Sequence, residues 1–186
     1  MFSRDTGARA VGAGKIGNMK GQTCEDRTVA LFERLIQLNG LKGFVVRHDK
    51  TLRTSTGAFQ QCDLVIYFKG TPVLLVEVKS GNKPNVVDVI KQLRTYRVVA
   101  DAFGHNIPVL LFLKPCAEMS VGRKILTNFE DLPALRRPVI ASSAEGIARV
   151  LRGLKRAAIN GTSSASAVVD ATENLRDVLA RIRTTC

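Results

Sequence analysis

Three residues stand out as carriers of chemistry: Asp63, Glu77 and Lys79. The apolar segments CDLVIYF (62–68) and VLLVEVK (73–79) flank Lys69-Gly70-Thr71-Pro72, the pattern of a β-hairpin. A turn centred on Gly70 makes Asp63 and Glu77 direct cross-strand partners, with Cβ atoms roughly 5 Å apart. Two carboxylates at that distance repel, and strands of Val, Leu and Ile leave them partly desolvated. A divalent cation bound by hard oxygen ligands relieves both penalties. Lys79, two residues beyond Glu77, shares its strand face, while Val76 and Val78 face the opposite layer. Such a face suits phosphodiester hydrolysis. Carboxylates hold Mg²⁺, which polarises the phosphate and acidifies a water. The lysine orients that water or stabilises charge on the phosphorane. The plainer alternative is an internal ion pair of Lys79 with Glu77 or Asp63 on a solvated face. The apolar flanks weigh against it, because buried acids are rare without a task.

Cys62-Asp63 followed by Glu77-Val78-Lys79 resembles the signature of the PD-(D/E)xK nuclease superfamily, with Cys62 where the family has proline. The resemblance covers about residues 20–115, the core of that family. It implies a restriction-endonuclease-like fold with Asp63, Glu77, Val78 and Glu25 around the metal, Glu25 directly or through water. Lys20-Gly21-Gln22-Thr23-Cys24-Glu25-Asp26-Arg27 resembles the KGxxxER start of archaeal Holliday-junction resolvases. Taken alone, Glu25 is a first-turn acid favoured by the helix dipole. Arg53-Thr54-Ser55-Thr56-Gly57-Ala58 resembles the small loop before the resolvase aspartate. Gln92-Leu93-Arg94-Thr95-Tyr96 resembles the QxxxY motif of RecB-type and lambda-exonuclease-like nucleases. Gln92 and Tyr96 share a helix face, where they meet a metal-site water or the DNA backbone, or simply form a polar face over the sheet. The family implies Mg²⁺, with Mn²⁺ able to substitute, and a homodimer in the resolvase branch. Cys24, Cys116 and Cys186 do not reproduce the clustered set of its iron–sulphur members, so no iron–sulphur cluster is expected.

The net charge of +12 points to a polyanionic partner, DNA before an anionic membrane surface. Lys20, Arg53 and Ser55 are candidate DNA contacts. So are Lys91, Arg94 and Arg97, which recur every third residue and would position phosphates rather than read bases. Arg149, Arg152, Lys155 and Arg156 form a second basic patch. Aromatic residues are 5% of the chain and Trp is absent, so stacking on single strands is disfavoured. Duplex or branched DNA fits better. His48 and His105 lack metal-ligand spacing, there is no GxSxG, and Gly12-Ala13-Gly14-Lys15 is not a Walker A loop. The four cysteines form no CxxC pair and read as reduced thiols of a cytoplasmic protein. No apolar run of about 18 residues and no secretory h-region occurs.

The elements that must position these residues follow from periodicity. Residues 1–22 read as a flexible basic arm, 23–158 as the nuclease domain, and 159–186 as a linker plus C-terminal amphipathic helix. Within the domain a helix is expected over 23–39, a strand over Gly43–Arg47 and a polar loop over 49–60. The hairpin follows, then a helix over 85–103 and a buried strand Ile107–Leu113. Residues 118–134 are mixed. A short strand Pro138–Ala141 and a helix over 143–158 close the domain. AINGTSSASA (158–167) reads as the linker and 168–183 as the amphipathic helix. The fold class is therefore α/β, a mixed sheet of four to five strands flanked by helices, antiparallel first and parallel later. The expected activity is a metal-dependent DNA endonuclease that resembles Holliday-junction resolvases. A RecB-type exonuclease, a restriction or mobile-element nuclease, and a non-cleaving basic DNA-binding module remain alternatives.

Overall fold

The structure, a computed structural model, describes residues 24–53, 57, 59–79, 84–103, 107–113, 119–169 and 171. The basic arm (1–22), Ser55 and the tail beyond 171 lie outside the described residues. Helix α1 covers 24–38 and stops at Asn39-Gly40, where Gly40 takes a positive φ of 58°. Strands β1 (Phe44–Arg53) and β2 (Phe59–Phe68) pair antiparallel from Phe44↔Phe68 to Arg53↔Phe59. This hairpin is longer than expected, and most of the supposed polar loop 49–60 is strand. The reason is that β1 is an edge strand, so Thr51 and Arg53 face water while Leu52 between them is drawn inward.

Strand β3 (Thr71–Lys79) returns beside β2 through a two-residue turn. Lys69 and Gly70 both have positive φ, 49° and 85°, as a type I′ turn requires. That turn alone would misplace Asp63 and Glu77 by one residue. A bulge between Ile66 and Tyr67 corrects the offset, and Leu64 then pairs with Val76. The sequence count reached the right register through the wrong turn.

Helix α2 (Val86–Ala102) carries the chain to β4 (Val109–Leu113), and α3 (Met119–Thr127) with a 3₁₀ turn (Ala134–Arg136) carries it to β5 (Val139–Ala141). Strands β3, β4 and β5 run parallel, giving one five-stranded mixed sheet of order β1-β2-β3-β4-β5. Helix α4 (Ala144–Asn160) follows, capped by Ser143. One core lies between the sheet and α1 and α4, joining Phe32, Leu64, Leu74, Val76, Leu110 and Leu151. The other lies under α2 and α3, joining Val65, Leu75, Leu93, Tyr96, Leu111 and Ile125. Alternate residues of β3 feed opposite layers, as a period of two demands.

The linker expectation is corrected. Helix α4 ends at Gly161 (φ 65°), but the chain is helical again over 164–169 (α5), with Ala165 and Val168 fully buried. Gly153 makes room for it, since a Cβ there would stand 2.6 Å from the Ala167 carbonyl oxygen. Among the described residues no helix is long and apolar enough to cross a membrane.

Candidate active site

The site sits in a fork of the sheet. Pairing between β2 and β3 ends at Leu64↔Val76, although β2 stays paired with β1 beyond that point and β3 with β4 as far as Lys79↔Leu113. Backbone groups freed by the fork need other partners. The Asp63 carboxylate (Oδ2) accepts the Val78 N–H at 2.7 Å. The Asp63 N–H donates to the Tyr96 hydroxyl at 3.1 Å, and that hydroxyl donates to the Gln61 carbonyl at 3.4 Å. Asp63 and Glu77 thus face one another where the strands part, as the hairpin count anticipates.

Glu77 is 1% exposed, an extreme value for an acid. Lys79 ion-pairs with its Oε1, so the plainer alternative is realised in part, yet on a buried acid rather than a solvated face. Among the described residues no donor meets full hydrogen-bond geometry at either Glu77 oxygen, although the Tyr96 hydroxyl also interacts with this carboxylate. Asp63 is pushed up to about 7, first by burial, then by the Glu77 charge, with Glu25 adding to it; the Val78 amide and Lys79 pull the other way. Burial raises the Tyr96 phenol well above its ordinary value, and both acids raise it further, so it stays protonated. Burial likewise pushes the Cys62 thiol up to about 12, which makes it an inert core thiol.

Among the described residues Glu25, Asp63 and Glu77 stand against one lysine, an excess of acid even with Asp63 protonated, and neither buried Glu77 oxygen has a donor in full hydrogen-bond geometry. Hard, unsatisfied carboxylate oxygens are what a divalent cation takes, so Asp63 and Glu77 fit one, with Glu25 adding to the attraction. Among the described residues no three His, Cys, Asp or Glu side chains close into a ready-made cage.

The other candidates separate. Glu25 opens the described part of α1, close enough for its charge to act on Asp63. The Val78 amide is turned to Asp63, while its side chain packs in the opposite core. Gln92 is half-buried one turn before Tyr96 on α2. Tyr96 is fully buried, so it cannot touch DNA; its hydroxyl serves the backbone instead. Arg97 is also not a DNA contact. It is 5% exposed, with Nε on Asp101 at 2.8 Å. Lys91 and Arg94 do face outward, Arg94 stacked near Phe129 and donating to the Asn128 carbonyl. Arg53 is exposed at the end of β1. Lys20 and Ser55 lie outside the described residues. In the second basic patch, Arg149 and Arg152 both bind Glu145, and Lys155 donates to the Asn39 carbonyl. Sequence reasoning missed Gln61, whose carbonyl anchors Tyr96; a backbone role leaves no trace in residue type. No protein family, curated protein or solved structure matches the chain.

Proposed function

We propose that the protein is a divalent-cation-dependent nuclease that hydrolyses phosphodiester bonds in DNA, built on a restriction-endonuclease-like core. The observation that carries this reading is Glu77: a fully buried acid facing a second acid in a strand fork, offset among the described residues by Lys79. Such an arrangement destabilises the fold unless a cation completes it. The order of elements supports the same reading, with a helix, three antiparallel strands, a crossover helix and a parallel strand.

Asp63 and Glu77 would hold Mg²⁺, or Mn²⁺ in its place, with Glu25 strengthening the negative field. Bound there, the ion supplies charge neutralisation at the phosphate and a more acidic water. The chain's own residues do the rest. The Val78 N–H fixes one oxygen of Asp63, leaving the carboxylate a defined orientation. Lys79 is 25% exposed, standing between the buried acid and solvent, where its ammonium meets charge developing on the phosphorane. The +12 net charge draws DNA, and outward cations such as Lys91 and Arg94 bind its phosphates without reading bases. An intracellular homodimer acting on duplex or branched DNA accords with the resolvase resemblance.

The test is incubation with Mg²⁺ and linear, nicked, four-way and single-stranded DNA. Cleavage that disappears in Asp63→Ala while DNA binding persists is the expected result. Binding without cleavage of any substrate would make the protein a basic DNA-binding module instead. Paired symmetric cuts confined to four-way junctions would identify a resolvase, and progressive loss from ends an exonuclease.

A further inference from the structure

We propose that Tyr96 is a positioning residue: its hydroxyl holds the β2 backbone away from β3 at Asp63 and so sets where the Asp63 carboxylate stands relative to Glu77. The backbone claim is independent of function, whereas its consequence for cation binding rests on the nuclease reading above.

The sheet itself poses the problem. With the register of Leu64↔Val76 continued, Cys62 and Val78 would be the next bonded pair, and β2 and β3 would close over the two acids. Instead the Val78 N–H goes to the Asp63 side chain and the Asp63 N–H goes to Tyr96. Closing the fork would divert the Val78 N–H from the Asp63 carboxylate to the β2 backbone, and without Tyr96 the part-buried Asp63 N–H would lose the partner that fixes β2 there. The phenol is itself fixed, because it is fully buried and directed to the Gln61 carbonyl, two residues before Asp63. One hydroxyl therefore ties together two points of β2 on either side of Cys62. A phenylalanine would fill the same space beside Val65, Leu75 and Leu93 in this core. Only the hydroxyl serves the fork, and being buried it acts on the reaction through the groups that it touches, the Asp63 backbone first and the Glu77 carboxylate beside it.

Backbone amide exchange measured by NMR on the full chain tests the claim directly. In the wild type the Asp63 amide should exchange slowly although it lies outside the β2–β3 ladder. Tyr96→Phe should fold, speed exchange at Asp63, and weaken Mn²⁺ binding by calorimetry about 10- to 100-fold, the range for lost partners of metal ligands. Its kcat on DNA should fall while KM stays unchanged. Val89→Ala, which loosens the same core away from the fork, should lower thermal stability without these changes. An Asp63 amide that exchanges equally in wild type and Tyr96→Phe would overturn the proposal, as would equal effects of Val89→Ala on the Asp63 amide and on Mn²⁺. A wild type that neither binds Mn²⁺ nor cuts DNA defeats the nuclease reading instead, and the Asp63 amide still decides the role of Tyr96.

Discussion

Glu77 and Arg97 are both charged and buried, 1% and 5% exposed, and both keep polar atoms without hydrogen-bond partners. Their surroundings differ in kind. Around Arg97 the charges alternate: its Nε meets Asp101, and Asp101 also pairs with Arg136. Around Glu77 they do not, since Asp63 repels it and, among the described residues, Lys79 is the cation that answers. The first cluster carries one positive charge over, but its single acid stands between the two cations and pairs with both. The second carries surplus negative charge at the one place where the sheet forks. Burial of a charge is therefore not in itself a sign of function; the sign of its neighbours separates a structural ion network from a candidate cation site.

The sharpest way to break this contrast is to neutralise each group in turn. Glu77→Gln should abolish Mn²⁺ binding and cleavage, and raise the thermal midpoint of the metal-free protein by removing the repulsion. Arg97→Met should leave Mn²⁺ binding intact and change stability by no more than about 1 kcal/mol, because Asp101 keeps Arg136. Calorimetry and thermal unfolding of both variants measure this. Equal loss of Mn²⁺ binding in the two would erase the distinction.

The pH dependence of the metal-free protein comes next in size. Asp63 titrates at about 7 in the fold against an ordinary 3.8, raised by burial and then by Glu77. The native state thus holds a proton that the unfolded chain has released. Stability must fall as pH rises between those two values. The thermal midpoint should decline across that window, the slope should flatten in Asp63→Asn, and Mn²⁺ should reverse the decline at the upper end. A midpoint that climbs with pH across that window in the metal-free wild type would refute the raised Asp63 value.

Lys79 sharpens the comparison from the other side, since its ammonium and an incoming cation compete for Glu77. Lys79→Met should bind Mn²⁺ about threefold more tightly, the scale of a partly exposed ion pair, yet cleave no DNA. Weaker Mn²⁺ binding would mean that the lysine supports the cation rather than opposing it. The smallest effect belongs to the surface. Lys91→Gln should lower the salt slope of DNA binding by about 1, and Arg149→Gln by less, because Glu145 already holds that arginine.

The arginine stripe on α2 illustrates what spacing can mislead. Residues three apart drift backward around a helix, so Arg97 stands about 120° from Lys91 and turns into the core while Lys91 and Arg94 stay outside. The supposed linker misled for a related reason. Its small residues suggest flexibility, but Ala165 and Val168 pack closely because Gly153, distant in sequence, admits their backbone.

Asp63, Glu77 and Lys79 were legible from the chain alone because strand geometry is local. Side chains alternate, and a hairpin ties two strands by counting from its turn. The mixed sheet and its crossover helices followed from the same periodicities. What surrounds the three residues was not legible. The fork between β2 and β3, which leaves Glu77 wholly and not just partly buried, and the bond from Asp63 to Tyr96 depend on elements 14 and 33 residues away. Pairing competes with side-chain partners at each backbone group, and only the assembled layers decide which wins.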